Sequence, residues 1–133
     1  MELQVGVKVL LQNSEGKFLL VKRSSDKYPE VGARWDIAGG RINPGQTLME
    51  NLKREVMEET KLYMTEEPKL VAAQDILRVP GRHVVRLTYI GRADGTPRLD
   101  DDHTEFGWFS LEEIRKLDTL DIYFRELLKK GLF

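Results

Sequence analysis

Three glutamates, Glu55, Glu58 and Glu59, stand at i, i+3 and i+4 within the run LMENLKREVMEET. The run lacks Gly and Pro and repeats its apolar residues at helical spacing, which predicts a helix over residues 48–60. Thr47 and Glu50 have the spacing of a capping box at its start. With Leu48 at zero on a wheel of about 100° per residue, Leu52, Val56 and Met49 fall near 40°, 80° and 100°. Glu59 falls near 20°, inside this apolar stripe, Glu55 near −20° at its edge, and Glu58 further round, near −80°. Lys53, Met57, Glu50 and Arg54 occupy the side where solvated residues belong. Like charges at this spacing cost a helix about 0.2–0.5 kcal/mol unless a cation offsets them. A hard divalent ion held through oxygen does so, and Mg²⁺ favours carboxylates together with water and substrate phosphates. Spacing alone leaves a metal site and a water-facing acidic face both open.

Gly39-Gly40 ends a short apolar strand carrying Trp35 and Ile37, and Asn43-Pro44-Gly45 is turn chemistry. The whole stretch resembles the signature of the Nudix hydrolases: Gly, five residues, Glu, seven residues, Arg-Glu, an aliphatic residue, any residue, Glu-Glu, any residue, Gly, an aliphatic residue. Gly40, Arg54, Glu55, Val56, Glu58, Glu59 and Leu62 match it. Gln46 stands where the pattern has Glu, and Lys61 where it has Gly. The resemblance implies an α/β fold, an α/β/α sandwich with a mixed sheet. It implies hydrolysis of the pyrophosphate bond in a nucleoside diphosphate linked to another moiety, with Mg²⁺ as cofactor and Mn²⁺ as a substitute. Nucleoside triphosphates, ADP-ribose and other nucleotide sugars are all open as substrates.

By the same resemblance, Glu55, Glu58 and Glu59 ligate the metal directly or through water, and a carbonyl of Gly39 or Gly40 completes the shell. One glutamate, Glu55 being the first candidate, takes the proton of the attacking water. Arg54 is expected to hold Glu55 by a charge-assisted hydrogen bond, with pairing to Glu50 or Glu58 as the alternative. Many members carry an acidic residue shortly before a Trp-aromatic pair, which points to Glu105 ahead of Trp108-Phe109, with a cross-strand or surface carboxylate as the alternative. His103 is a weaker candidate, and Asp100, Asp101 and Asp102 read as a solvated loop from which one could reach the metal cluster. Arg23, at the end of the second strand, is expected to approach substrate phosphates, and Arg34 to meet an anionic substrate through its planar fork. Trp35 is expected in the core or a pocket wall. Gln46 loses a charge that would favour the positive helix end. Lys61 replaces a residue suited to a left-handed exit, so the helix is expected to run on through Leu62.

The elements that must position these residues are legible around them. Residues 4–11 and 17–22 read as a β-hairpin about Asn13-Ser14-Glu15-Gly16. Residues 24–34, with Pro29 and Gly32, read as a functional loop. Residues 70–79 and 83–90 read as two strands about Pro80-Gly81, and residues 93–102 as a loop. Ser110 and Glu113 cap a short helix, and a last helix over residues 121–130 sets Ile122, Phe124, Leu127 and Leu128 near a common side.

The chain has 133 residues, enough for one domain with a real core, and is read as a single domain over residues 1–133. A net charge of −1 gives no blanket attraction for nucleic acid or anionic membrane. The absence of cysteine excludes disulfide and thiolate chemistry and fits a reducing, cytoplasmic setting. The opening MELQVGVKVLLQ reads as a strand rather than a signal peptide, and no apolar run suits a membrane helix. The expected partner is a small-molecule nucleotide. Lys and Arg are scattered without a clear nucleic-acid track, which disfavours action on RNA 5′ ends. A homodimer is common in the family, although no exposed apolar stripe argues for one. A non-catalytic nucleotide-binding module is the rival reading, disfavoured because all three glutamates are present.

Overall fold

The computed structural model describes residues 1–26 and 34–133. Pro29 and Gly32 of the loop expected over residues 24–34 lie outside the described residues. The strands are β1 (Glu2–Gln12), β2 (Phe18–Arg23), β3 (Trp35–Asp36), β4 (Ala38–Arg41), β5 (Lys69–Ile76), β6 (Arg82–Arg92) and β7 (His103–Phe109). The helices are α1 (Leu48–Thr60), α2 (Leu111–Arg115) and α3 (Ile122–Lys129). The main path of the sheet runs β3-β2-β1-β6-β5, with β4 paired to β1 and β7 to β2. β1 runs parallel to β6, whereas the other pairs are antiparallel, so the sheet is mixed as expected.

The apolar residues of β1 and β2 run almost continuously because both faces of the sheet are covered. Val7, Val9, Leu11 and Leu19 join Leu52 and Val56 of α1 on one face. Leu10, Phe18 and Leu20 join Ile114 of α2 and Phe124 and Leu128 of α3 on the other. Alternation along a strand thus feeds two cores, one per helix layer, which gives the α/β/α sandwich. No helix among the described residues is long and apolar enough to cross a membrane.

The β1–β2 hairpin is paired next to its turn. Asn13 N–H donates to Lys17 O at 2.8 Å, and Gln12 pairs with Phe18. Beyond that point β1 pairs with β4 and β6, while β2 pairs with β3 and β7. The hydrogen bonds of these neighbours replace those that a longer hairpin would make.

The capping boxes at Thr47–Glu50 and Ser110–Glu113 form as read. Two wheel assignments do not hold. Leu48 is 38% exposed and Ile122 44%, although both lie on apolar arcs. Each is the first residue of its helix, and a helical Cα–Cβ bond leans toward the N-terminus, past the last packed turn. The expected run-on at Lys61 does not occur either. α1 stops at Thr60, and Lys61 takes φ 61° in the left-handed region while its N–H donates to Met57 O. The chain makes the exit that Gly would make, at a cost of about 1 kcal/mol for a residue with a Cβ. Lys61→Gly is therefore expected to stabilise the protein by about 0.5–1 kcal/mol, with a melting temperature higher by a few degrees. An unchanged or lower midpoint in thermal denaturation would contradict this account.

Candidate active site

β4 and α1 build the site together. β4 lies antiparallel on β1, with Lys8 opposite Gly39 and Val7 opposite Gly40. Gly39 has φ 138°, and a Cβ there would sit 2.0 Å from Val7 O, so only Gly allows this approach. Its N–H donates to Glu59 Oε2 at 2.6 Å. At Gly40 a Cβ would fall 2.7 Å from Glu55 Oε2, so the missing side chain is the space that the Glu55 carboxylate fills. Glu59 is buried, as its place inside the apolar stripe predicted, Glu55 is half-buried and Glu58 is exposed.

Arg54 Nη1 donates to Glu55 Oε1 at 2.9 Å and lies 3.4 Å from Glu58 Oε2. It therefore makes both contacts that the sequence left as alternatives. Arg54 Nη2 also donates to Asn51 Oδ1 at 3.0 Å. Asn51, which sequence reasoning passed over, is fully buried, accepts from Asn43 N–H at 2.8 Å and donates to Thr47 O at 2.7 Å and Gln46 O at 3.2 Å. It ties the turn before α1 to the arginine that holds Glu55. A buried amide four residues into an amphipathic helix is the signal that could have found it.

Burial pushes the Glu59 carboxyl up to about 8; Lys8 and the Gly39 N–H oppose this, and Glu55 and Asp100 add to it. Burial likewise raises Glu55, against the hydrogen bond and charge of Arg54. Among the described residues no Lys or Arg pairs with Glu59; its near neighbour is His103, whose Nε2 lies 3.5 Å from Glu59 Oε1. His103 Nδ1 in turn lies 2.7 Å from Asp100 Oδ1. Glu105 stands elsewhere, exposed on β7 and paired with Lys22 at 3.3 Å. The structure thus brings Asp100 and His103 to Glu59 and sets Glu105 apart from this group.

A cleft of about 600 Å³ is lined by Lys8, Gly39, Gly40, Arg41 and, further along, Arg23, Arg86, Arg78 and Arg82, and it meets the glutamates through the Gly39-Gly40 backbone. The sequence showed these cations as scattered, but strand pairing gathers them, because Arg86 lies opposite Gly6 on β1 and Gly6 opposite Arg41 on β4. Under the cleft Asp36 pairs with Lys8 at 3.2 Å, with Arg86 at 3.1 Å and with Arg23. Asp121 pairs with Arg86 at 3.1 Å and Arg23 at 3.3 Å. Burial opposes the charge of Asp36, but Arg86, Lys8 and Arg23 outweigh it and hold the carboxyl well below the usual range. Two buried carboxylates thus hold Lys8, Arg23 and Arg86 together at the cleft floor. Trp35 packs edge-on against Phe109 at 5.3 Å, on the α3 face. Arg34 accepts at its carbonyl from Arg23 N–H at 2.9 Å.

The donor set fits a divalent ion: carboxylates converge from one helix, one of them is buried without a Lys or Arg partner, and a glycine makes room for another. Residues 2–130 match the NUDIX domain, and the chain belongs to that family. Its fold is similar to that of the MutT protein from Methanosarcina mazei Go1, with a TM-score of 0.85 at 30% identity over 97% of this chain and 92% of that one. In sequence it is 28% identical over 90 residues to a putative 8-oxo-dGTP diphosphatase 2 of Mycobacterium tuberculosis, 68% of this chain and 63% of that protein. It is 42% identical over 50 residues to the nucleoside triphosphatase NudI of Enterobacter sp. (strain 638), 38% of this chain and 34% of that protein. The matched segments span about a third of the one curated relative and just under two thirds of the other.

Two outcomes are expected. Glu59 binds its proton more tightly folded than unfolded, so its contribution to stability is complete below about pH 4.5 and lost as the pH rises to about 8. Metal-free protein should melt progressively lower across that window, and Glu59→Gln should flatten the slope; parallel curves for the two proteins would refute the burial argument. Asp36→Asn leaves Arg23, Arg86 and Lys8 short of a counter-charge in a buried place, and should cost about 3–5 kcal/mol in denaturant unfolding.

Proposed function

We propose that this protein hydrolyses the pyrophosphate bond of a nucleoside diphosphate linked to another moiety, with Mg²⁺ as cofactor. The observation that carries the reading is that Glu59 and Glu55 rest against Gly39 and Gly40, the same stretch of backbone that lines a cationic cleft of about 600 Å³. That volume suits one nucleotide, which supports a small molecule rather than a polymer. Among the candidate substrates a nucleoside triphosphate comes first, because the names of the matched relatives are those of a nucleoside triphosphatase and a putative 8-oxo-dGTP diphosphatase.

Glu55, Glu58 and Glu59, with a carbonyl of Gly39 or Gly40, would hold the ion. A bound divalent ion neutralises phosphate oxygens and makes water more acidic. The residues of the chain do the rest. Arg54 fixes Glu55 Oε1, and no protein donor among the described residues reaches Oε2. Glu55, its basicity raised by burial, accepts through Oε2 the proton of the water that attacks phosphorus. The bridging P–O bond breaks, and a nucleoside monophosphate leaves together with the rest of the substrate. Lys8, Arg23 and Arg86, fixed by Asp36 and Asp121, present positive charge to the phosphates without rearranging. Glu105 remains a candidate for orienting water, from its place on β7 before Trp108.

The test is release of phosphate, pyrophosphate and nucleoside monophosphate from a panel of nucleoside triphosphates, dinucleoside polyphosphates and nucleotide sugars with Mg²⁺. One class should turn over, and Glu55→Gln should lower kcat about 10²–10⁴-fold with little change in KM. Nucleotide binding without turnover on any member of the panel would favour the binding-module reading instead.

A further inference from the structure

Asp100, in the loop before β7, and His103, the first residue of β7, converge on Glu59; one ligand atom of each lies within 4.8 Å of the other two. The His103 side chain is 6% exposed. In the tautomer whose Nδ1–H donates to Asp100 at 2.7 Å, Nε2 carries the lone pair. Nε2 makes no hydrogen bond among the described residues and faces Glu59 Oε1 at 3.5 Å. That gap is too long for a proton shared between nitrogen and oxygen. A lone pair and an ionised carboxylate oxygen facing each other repel unless a cation lies between them, so ionising Glu59 here calls for such a cation. Two donors on one octahedral ion with bonds of about 2.1 Å lie roughly 3 Å apart, close to this spacing. A ligating imidazole whose other nitrogen donates to a carboxylate is the usual supporting arrangement of metal-bound histidine.

We propose that His103 Nε2, backed by Asp100, is a ligand of the metal centre at Glu59, making it a mixed nitrogen–oxygen site that favours a first-row transition ion over Mg²⁺. The inference rests on the metal-dependent reading above. Mg²⁺ takes oxygen ligands and gains little from an imidazole, whereas first-row divalent ions accept one readily. Mg²⁺ can still enter through the glutamates; the nitrogen changes the preference between ions.

Mn²⁺ is the probe, added to the metal-free full chain and followed by electron paramagnetic resonance. The chain has two histidines, and the other, His83, sits on β6 with its ring 2.7 Å from Asp75. Wild type and His83→Asn should both show echo modulation from one directly bound ¹⁴N, and His103→Gln should show none. His103→Gln should weaken Mn²⁺ about tenfold or more, while Mg²⁺ affinity, measured by competition, changes by less than about threefold. Asp100→Asn should weaken Mn²⁺ by about tenfold. Bound Mn²⁺ without ¹⁴N modulation in wild type would overturn the histidine ligand and leave the glutamate site standing. An unchanged Mn²⁺-to-Mg²⁺ ratio in His103→Gln would overturn it as well. No Mn²⁺ binding to wild type at all would overturn both this inference and the metal-dependent reading. The wild-type signal decides the matter even where a variant fails to fold.

Discussion

The contact on which the site depends is the hydrogen bond from Gly39 N–H to Glu59 Oε2. It fastens the C-terminal half of α1 to β4, and β4 is itself pressed so closely on β1 that no side chain fits at Gly39. The carboxylate is thereby held at the boundary of the apolar core formed by Leu52, Val56 and the α1 face of β1. Water is scarce there, so charge on Glu59 is costly and an incoming cation is favoured. A glutamate one position round the helix would be solvated and would lose that drive, as exposed Glu58 illustrates.

A second buried ionic group does a different job. Asp36 and Asp121 are surrounded by Lys8, Arg23 and Arg86 on the other face of the sheet. Asp121 also caps α3, accepting from the N–H groups of Tyr123 and Phe124 at 3.1 and 3.0 Å. One carboxylate therefore anchors the helix and orients the cations of the cleft floor. Removing such a group from water is expensive, and stability alone is a weak reason to keep it. Its clearer consequence is that two arginines and a lysine are fixed along the cleft.

The two departures from the family signature become intelligible at this level. Gln46 is exposed, and what matters at its position is the backbone carbonyl that Asn51 binds. The side-chain change leaves that bond in place. Lys61 adopts the left-handed exit because Leu62, buried against the α1 core, fixes the direction of the chain after the helix. Core packing outweighs the local backbone preference, and Lys61 Nζ recovers part of the cost by donating to Glu58 O at 3.0 Å.

The sequence by itself determined the start of α1, its capping box and the burial of Glu59, because each follows from spacing along one element. It also located the Arg54–Glu55 pairing and the strands on either side of Pro80-Gly81. The tertiary structure decided what depends on strand order. Arg86 and Asp36 are fifty residues apart and meet at 3.1 Å only because β6 lies beside β1 and β3 reaches the same end of the sheet. Helix ends escaped the wheel, since periodicity says which side a residue faces and not where the packed surface stops. His103 and Glu105 sit two apart on one strand, and the sequence put Glu105 ahead of His103. The bulge between Lys22 and Arg23 shifts the pairing there, so that Glu105 lies opposite Lys22 and His103 opposite Arg23, with His103 turned to Glu59. Spacing along a chain fixes the face of an element, but only the packing of elements fixes which faces meet.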